Sequence, residues 1–178
     1  MAGSSEERFR VYDAERSRKF QNSCLADDER EPSGGRKYTV ARIKKPTLRS
    51  LVKKADSIFS EWVRRSACDK GGTVECVTCR KLMHWKGNGA QAGHFVKRQH
   101  MAVRYDPRNV HVQCVRCNKW RNGEEGEYGH YIIGLYGVEA HQELMALKRT
   151  IKKFTRADLE SIIENYQQKL STLEARIT

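Results

Sequence analysis

Two cysteine pairs open the chemistry of this chain. Cys76-x-x-Cys79 and Cys114-x-x-Cys117 stand on either side of residues 80–113. Paired C-x-x-C units supply four thiolates for tetrahedral zinc, each pair clasped by a tight knuckle turn. One pair says little, but two in a basic chain predict a structural Zn2+ site. Closed four-sulfur coordination leaves no open position, so this ion is expected to staple two distant segments and perform no reaction. The second pair runs directly into Asn118, in "QCVRCNKW". That asparagine either caps a following helix or begins a second, chemical site.

Between the pairs lies "GAQAGHFVKRQHMAVRYDPRNVHVQ". His94 follows a glycine and precedes a basic cluster, while Asn109 and His111 lead into the second knuckle. Histidine is the usual side chain for activating water near neutral pH. Phosphodiester cleavage also needs a cation to neutralise developing charge. Asparagine and histidine can complete a divalent-ion site, although hard cations such as Mg2+ favour oxygen ligands and water. Taken one at a time, each of these residues reads as an ordinary structural side chain. His84, His100, His130 and His141 are read as structural or surface residues, and Cys24 and Cys68 as reduced thiols.

The formal charge of +12 on 178 residues points to nucleic acid, because phosphate backbones bind such chains by releasing counterions. The charge is also in blocks. Arg36, Lys37, Arg42, Lys44, Lys45, Arg49, Lys53 and Lys54 follow one another with no acidic residue among them. Lys97, Arg98, Arg104, Arg108, Arg116, Lys119 and Arg121 are set against Asp106 alone. Such blocks mark arms and binding faces. No apolar run reaches the roughly 20 residues of a membrane span, and the N-terminus lacks a signal-peptide core, so a cytoplasmic protein with reduced thiols is expected.

Four regions must position these groups. Residues 1–35 form a polar arm ending in "EPSGG", and 36–65 a basic connector leading into an amphipathic helix from Thr47. In that helix Leu48, Leu51, Val52, Ala55, Ile58, Phe59, Trp62 and Val63 recur at helical spacing, and Arg49, Lys53, Lys54 and Arg64 fall on other faces. Residues 66–125 hold the cysteine pairs and read as short strands and loops, as expected where a metal replaces a large core. Residues 126–178 read as helical, broken near Gly137, with a last helix opened by Thr155 and Asp158 as a capping box. Leu159, Ile162, Ile163, Tyr166, Leu170 and Leu173 give that helix a stripe suited to docking on its own domain.

The order C-x-x-C, Gly-His, Asn, C-x-x-C-Asn resembles an HNH, or His-Me finger, endonuclease. The stretches "KADSIFSEWVRR", "QAGHFVKR", "RYDPRNVHVQCVRCN" and "YIIGLYGVEAHQEL" narrow the resemblance to the phage lambda NinG (Rap) recombination family, over roughly residues 42–170. The "CN" ending is also similar to the zinc-containing endonuclease VII of phage T4. The resemblance implies an α+β fold, with a small zinc-stabilised ββα-metal (HNH, treble-clef-like) core flanked by amphipathic helices. It implies structure-specific cleavage of branched DNA, including Holliday junctions, with Mg2+ or Mn2+. His94 would be the general base, Asn118 a ligand of the catalytic ion, Asn109 a brace for the loop, and His111 the next candidate ligand. Many HNH enzymes carry an acidic ligand just before the histidine, where this chain has Gly93. Gln91, His111, Asp106 or solvent must fill that gap.

Lys97, Arg98, Arg104 and Arg108 are the candidate DNA contacts, suited to holding phosphates rather than reading bases. Trp85 and Trp120 either pack on the knuckles or wedge into a junction. The two symmetric strands of a four-way junction suggest a homodimer, for which the helices at 47–65 and 155–177 are candidate interfaces. Two other functions fit the same residues: a non-catalytic zinc protein that binds DNA and assists recombination, and a general HNH nuclease.

Overall fold

Thr47 starts the first helix as expected, its hydroxyl accepting the Ser50 amide at 3.2 Å. The computed structural model describes residues 45–175; the polar arm 1–35, Cys24 and the connector through Lys44 lie outside the described residues. Helix α1 spans Leu48–Ser66 and buries Leu51, Ala55, Phe59 and Val63. That four-residue spacing keeps one face apolar along the whole helix.

Two short antiparallel hairpins follow. Strands β1 (Thr73–Glu75) and β2 (Leu82–His84) carry the first cysteine pair on the turn between them. Strands β3 (Ala90–His94) and β4 (Val110–Cys114) form the second hairpin, with His94 opposite Val110 and Gly93 opposite His111. A long loop, 95–109, joins them and contains two single turns of 3-10 helix, Met101–Val103 and Pro107–Asn109. After β4 the chain makes a turn of π-helix over Arg116–Trp120 before helix α2, Glu125–Leu147. Gly137 breaks α2 where the sequence placed the break, with a φ of 90° that only glycine adopts cheaply.

Helix α3, Arg156–Ala175, opens with the anticipated capping box in both directions: the Asp158 amide donates to Thr155 Oγ1 at 3.2 Å, and the Thr155 amide to Asp158 Oδ2 at 2.8 Å. Its stripe docks on its own domain. Leu159, Ile163 and Tyr166 join Leu51, Ala55, Phe59, Val63, Val110 and Val112 in one buried cluster. The Phe59 and Tyr166 rings meet edge-on at 4.7 Å, and Tyr105 from the long loop touches Phe59 at 5.7 Å. The apolar stripes of α1 and α3 are thus packed on each other and on the hairpin. A second cluster, Phe95, Val96, Val103, Tyr128, Ile132 and Leu144, anchors α2 beneath the long loop. The described residues thus form a mixed α+β fold, and no described helix is long and apolar enough to cross a membrane.

Phe59 lies where α1, α3 and the long loop converge. Truncating Phe59→Ala should cost about 3–5 kcal/mol, the usual range for removing a buried ring. Urea unfolding measures it, and a loss below about 1 kcal/mol would show that α1 is not docked in this way.

Candidate metal centre and basic cleft

The two knuckles bring Cys76, Cys79, Cys114 and Cys117 together, with all four sulfurs within 4.8 Å of one another. The Cys79 and Cys114 sulfurs are 3.7 Å apart. Tetrahedral zinc with bonds of about 2.3 Å needs sulfurs about 3.8 Å apart, so the set fits a closed structural ion. Backbone amides already point at the sulfurs. Cys114 N–H donates to Cys76 Sγ at 3.2 Å, and Cys117 N–H to Cys114 Sγ at 3.4 Å. Burial raises the Cys76 thiol, but hydrogen bonds from the Thr78 hydroxyl and from neighbouring amides outweigh it and lower it to about 6. Cys68 stands apart from the cluster, its thiol donating to the Arg65 carbonyl at 3.0 Å.

His94 ends β3 and faces a cleft of about 1520 Å³. Asn118 lines the same cleft, together with Lys53 and Arg64 from α1 and with Lys86, Lys97, Arg98, Arg104 and Lys119. Asp56 is the one carboxylate among the lining residues. His94 Nε2 lies 3.1 Å from the Arg104 carbonyl. A carbonyl can only accept, so Nε2 carries the ring proton and Nδ1 keeps its lone pair. Burial holds the imidazole down to about 4, against the weaker upward pull of that carbonyl bond. His94 is therefore neutral at pH 7, as a proton acceptor must be.

Asn109 is buried and fully committed to the loop that follows His94. Its amide nitrogen donates to the Val96 and Val103 carbonyls at 2.9 and 3.0 Å, and its oxygen accepts the Val96 amide at 2.8 Å. Asn118 sits in the middle of the π-turn instead of capping a helix, and its side-chain amide donates to Gln91 Oε1 at 2.8 Å.

Other expected positions differ. His111 is one residue out of register with His94: it pairs with Gly93, so the two histidines project from opposite faces of the hairpin. Its ring nitrogens lie 3.2 Å from the Tyr128 hydroxyl and 3.1 Å from the Tyr136 hydroxyl, among Trp62, Tyr131 and Pro107. Burial lowers its imidazole to about 4. His111 is not part of the His94 cleft. Arg104 lines that cleft, but its guanidinium is bound to both oxygens of Asp56 and to the Arg98 carbonyl. Its role is internal, holding the segment whose carbonyl fixes His94. Arg108 is outside the cleft lining and pairs with Asp106 and Glu143. Lys97 and Arg98 do line the cleft, although the Lys97 ammonium is held by Asn122. Trp120 is 82% exposed, and Trp85 lies under the Arg65 guanidinium.

The glycine at 93 is imposed by packing. A Cβ there would come within 2.8 Å of Gln113 Cδ and still closer to Gln113 Oε1. Gln113 is buried, with its amide nitrogen donating to the Gly123 carbonyl at 2.8 Å. Sequence reasoning missed Gln113, along with Asp56 and Tyr128, whose hydroxyl donates to the Gly93 carbonyl at 2.8 Å. An acid just after the basic run Lys53–Lys54 was the available signal for Asp56; the other two gave none.

Two outcomes follow. Stripping the metal with a chelator should release one Zn2+ per chain and unfold the hairpins, seen as loss of near-UV dichroism; an unchanged spectrum would deny the cysteines their structural role. Gly93→Ala should destabilise by about 1–3 kcal/mol through overpacking. Adding Gln113→Ala should recover part of that loss in a double-mutant cycle, whereas strictly additive losses would remove Gln113 as the cause.

Comparison with known proteins adds the family. No solved structure matches the chain. The protein ninG of Salmonella phage P22 is 28% identical over 123 residues, covering 68% of this chain and 57% of the phage protein. The protein ninG of Escherichia phage 933W gives the same figures, and that of Escherichia phage lambda is also 28% identical, with 56% of its length covered. The chain therefore spans little more than half the length of these relatives in the matched region. The family description "Bacteriophage Lambda NinG protein" matches residues 6–176. That match takes in nearly the whole sequence, and the chain belongs to the NinG family.

Proposed function

We propose that this protein is a metal-dependent endonuclease that hydrolyses phosphodiester bonds in branched DNA during recombination, with a ββα-metal core of the HNH type formed by β3, β4 and the turn that follows. The observation that carries the reading is the state of His94. It is neutral, its Nε2 is tied to the Arg104 carbonyl, and Nδ1 is left as the ring's only acceptor in a basic cleft shared with Asn118. A water placed against Nδ1 gives up a proton as its oxygen attacks phosphorus, and the bond to the leaving sugar oxygen breaks. A divalent ion such as Mg2+ or Mn2+, when bound, neutralises the charge that develops on the phosphate oxygens and the leaving group. Asn118 would help hold it, and its amide oxygen is a suitable donor for a hard cation.

The other cleft residues hold the backbone. Lys53, Arg64, Lys86, Arg98 and Lys119 present positive charge on several sides of the cleft, which suits recognition by the path of the phosphates. The name NinG does not itself specify a cleavage activity, so the chemistry rests on the geometry and on the likeness to HNH enzymes.

Incision of labelled four-way, three-way and linear DNA with Mg2+ or Mn2+, comparing wild type and His94→Ala, tests this. Divalent-dependent cutting of branched DNA is expected, with the variant at least about 100-fold slower, the scale of a lost general base, but binding as before. Equal cleavage by both proteins would remove His94 as the base. Tight binding without incision would leave a zinc-stapled DNA-binding factor, and equal incision of linear DNA a general nuclease.

A further inference from the structure

The proposed cation needs oxygen ligands, and the fold removes most of the acidic choices. Position 93 cannot carry a side chain while Gln113 occupies its space. His111 lines a different pocket and is engaged by two tyrosines. Asp106 binds the Arg108 backbone and guanidinium, and it does not line the cleft. Asp56 does line it, but its charge is neutralised by the Arg104 guanidinium across both oxygens, and Tyr105 donates to Oδ1 as well. What remains in the cleft is uncharged donors, and two of them, Gln91 and Asn118, are joined to each other. Asn118 Nδ2 donates to Gln91 Oε1 at 2.8 Å, joining the π-turn to β3 on the cleft wall.

That single hydrogen bond uses one nitrogen of Asn118 and one lone pair of Gln91, so each carbonyl oxygen still has a lone pair to give. The cleft runs along β3, so Gln91 lines it together with Ala90, Ala92 and His94.

We propose that Gln91 and Asn118 form an uncharged seat for the divalent ion, and that the ion occupies it only together with a DNA phosphate. The proposal rests on the reading of Asn118 given above and extends it to Gln91 and to the order of binding. Two neutral amides offer no net charge to a cation, and carboxylate count is what chiefly sets divalent affinity in oxygen sites. The surrounding lysines and arginines oppose a free cation further. A phosphate entering the cleft reverses that balance, because it neutralises the basic wall and adds anionic oxygens to the seat. Ion and DNA then tighten one another by the same factor, as linkage requires.

The test is Mn2+ binding, read from the loss of the free-ion electron paramagnetic resonance signal. It uses the zinc-loaded full chain carrying His94→Ala, so that the DNA is not consumed. A four-way junction should raise Mn2+ affinity about tenfold or more above both the protein alone and the DNA alone, within the usual span of coupling between sites. Adding Gln91→Ala should remove that increment. Gln91→Glu supplies the missing charge and should raise DNA-free Mn2+ affinity about tenfold, a gain that misfolding cannot imitate. Mn2+ binding equally tightly with and without DNA would overturn the coupling, and Gln91→Ala behaving as its parent would overturn the seat. This readout is independent of cutting. Coupling without incision by wild type would defeat the nuclease reading and keep the seat, and incision without coupling would do the reverse.

Discussion

The closure of residues 80–113 by four thiols is the constraint on which the rest depends. Each hairpin has only a few paired residues, and neither has a core of its own. Short hairpins of this size are marginal in water. Bringing Cys76 and Cys79 against Cys114 and Cys117 fixes the end of β4 relative to the turn between β1 and β2. It also fixes β3, which is hydrogen-bonded along β4, and therefore His94 at the end of β3. The loop-closure cost grows only slowly with length, so one metal site can hold this long segment as effectively as a shorter one.

Three tethers then convert a fixed strand into a fixed imidazole. Asn109 ties the start and middle of the long loop to its end through three buried hydrogen bonds. Asp56 reaches from α1 to hold Arg104, whose carbonyl receives His94 Nε2–H. Tyr128 reaches from α2 to the Gly93 carbonyl, with its oxygen 2.7 Å from the His111 amide, and clamps the hairpin one residue before His94. The ring is thus referenced to α1, to α2 and to its own loop. A histidine positioned from three directions keeps little freedom of its own, which is what preorganisation of a general base would require.

What was legible in the sequence was whatever repeats or is spaced. The four cysteines announced themselves by interval, α1 and α3 by their stripes, and the α3 start by Thr155 and Asp158. The break in α2 was visible because glycine has a backbone signature. The site was less legible, because it depends on which face a strand residue takes and on what fills the space beside it. His94 and His111 are both histidines near a knuckle, and only the register of β3 against β4 separates them. Gly93 looked like a missing ligand, whereas in three dimensions it is a position occupied by another residue's side chain. Arg104 and Arg108 carried the right charge for DNA, but Arg104 is bound by Asp56, 48 residues away, and Arg108 by Glu143, 35 residues away, besides its neighbour Asp106. Pairings at such separations leave no local pattern.

Under the proposed function, one hairpin would serve two metals of different character. The sulfur cluster lies at one end of β4 and collects four soft ligands, three of them buried. The cleft along β3 offers hard, neutral donors and lies open among basic side chains. Zinc favours thiolate, while Mg2+ and Mn2+ favour oxygen, so the ligand types sort the ions without any difference in cavity size. Position 93 has no room for a side chain, because Gln113 fills the space it would need. Under the proposed function, the cleft would then depend on the charge that its substrate brings.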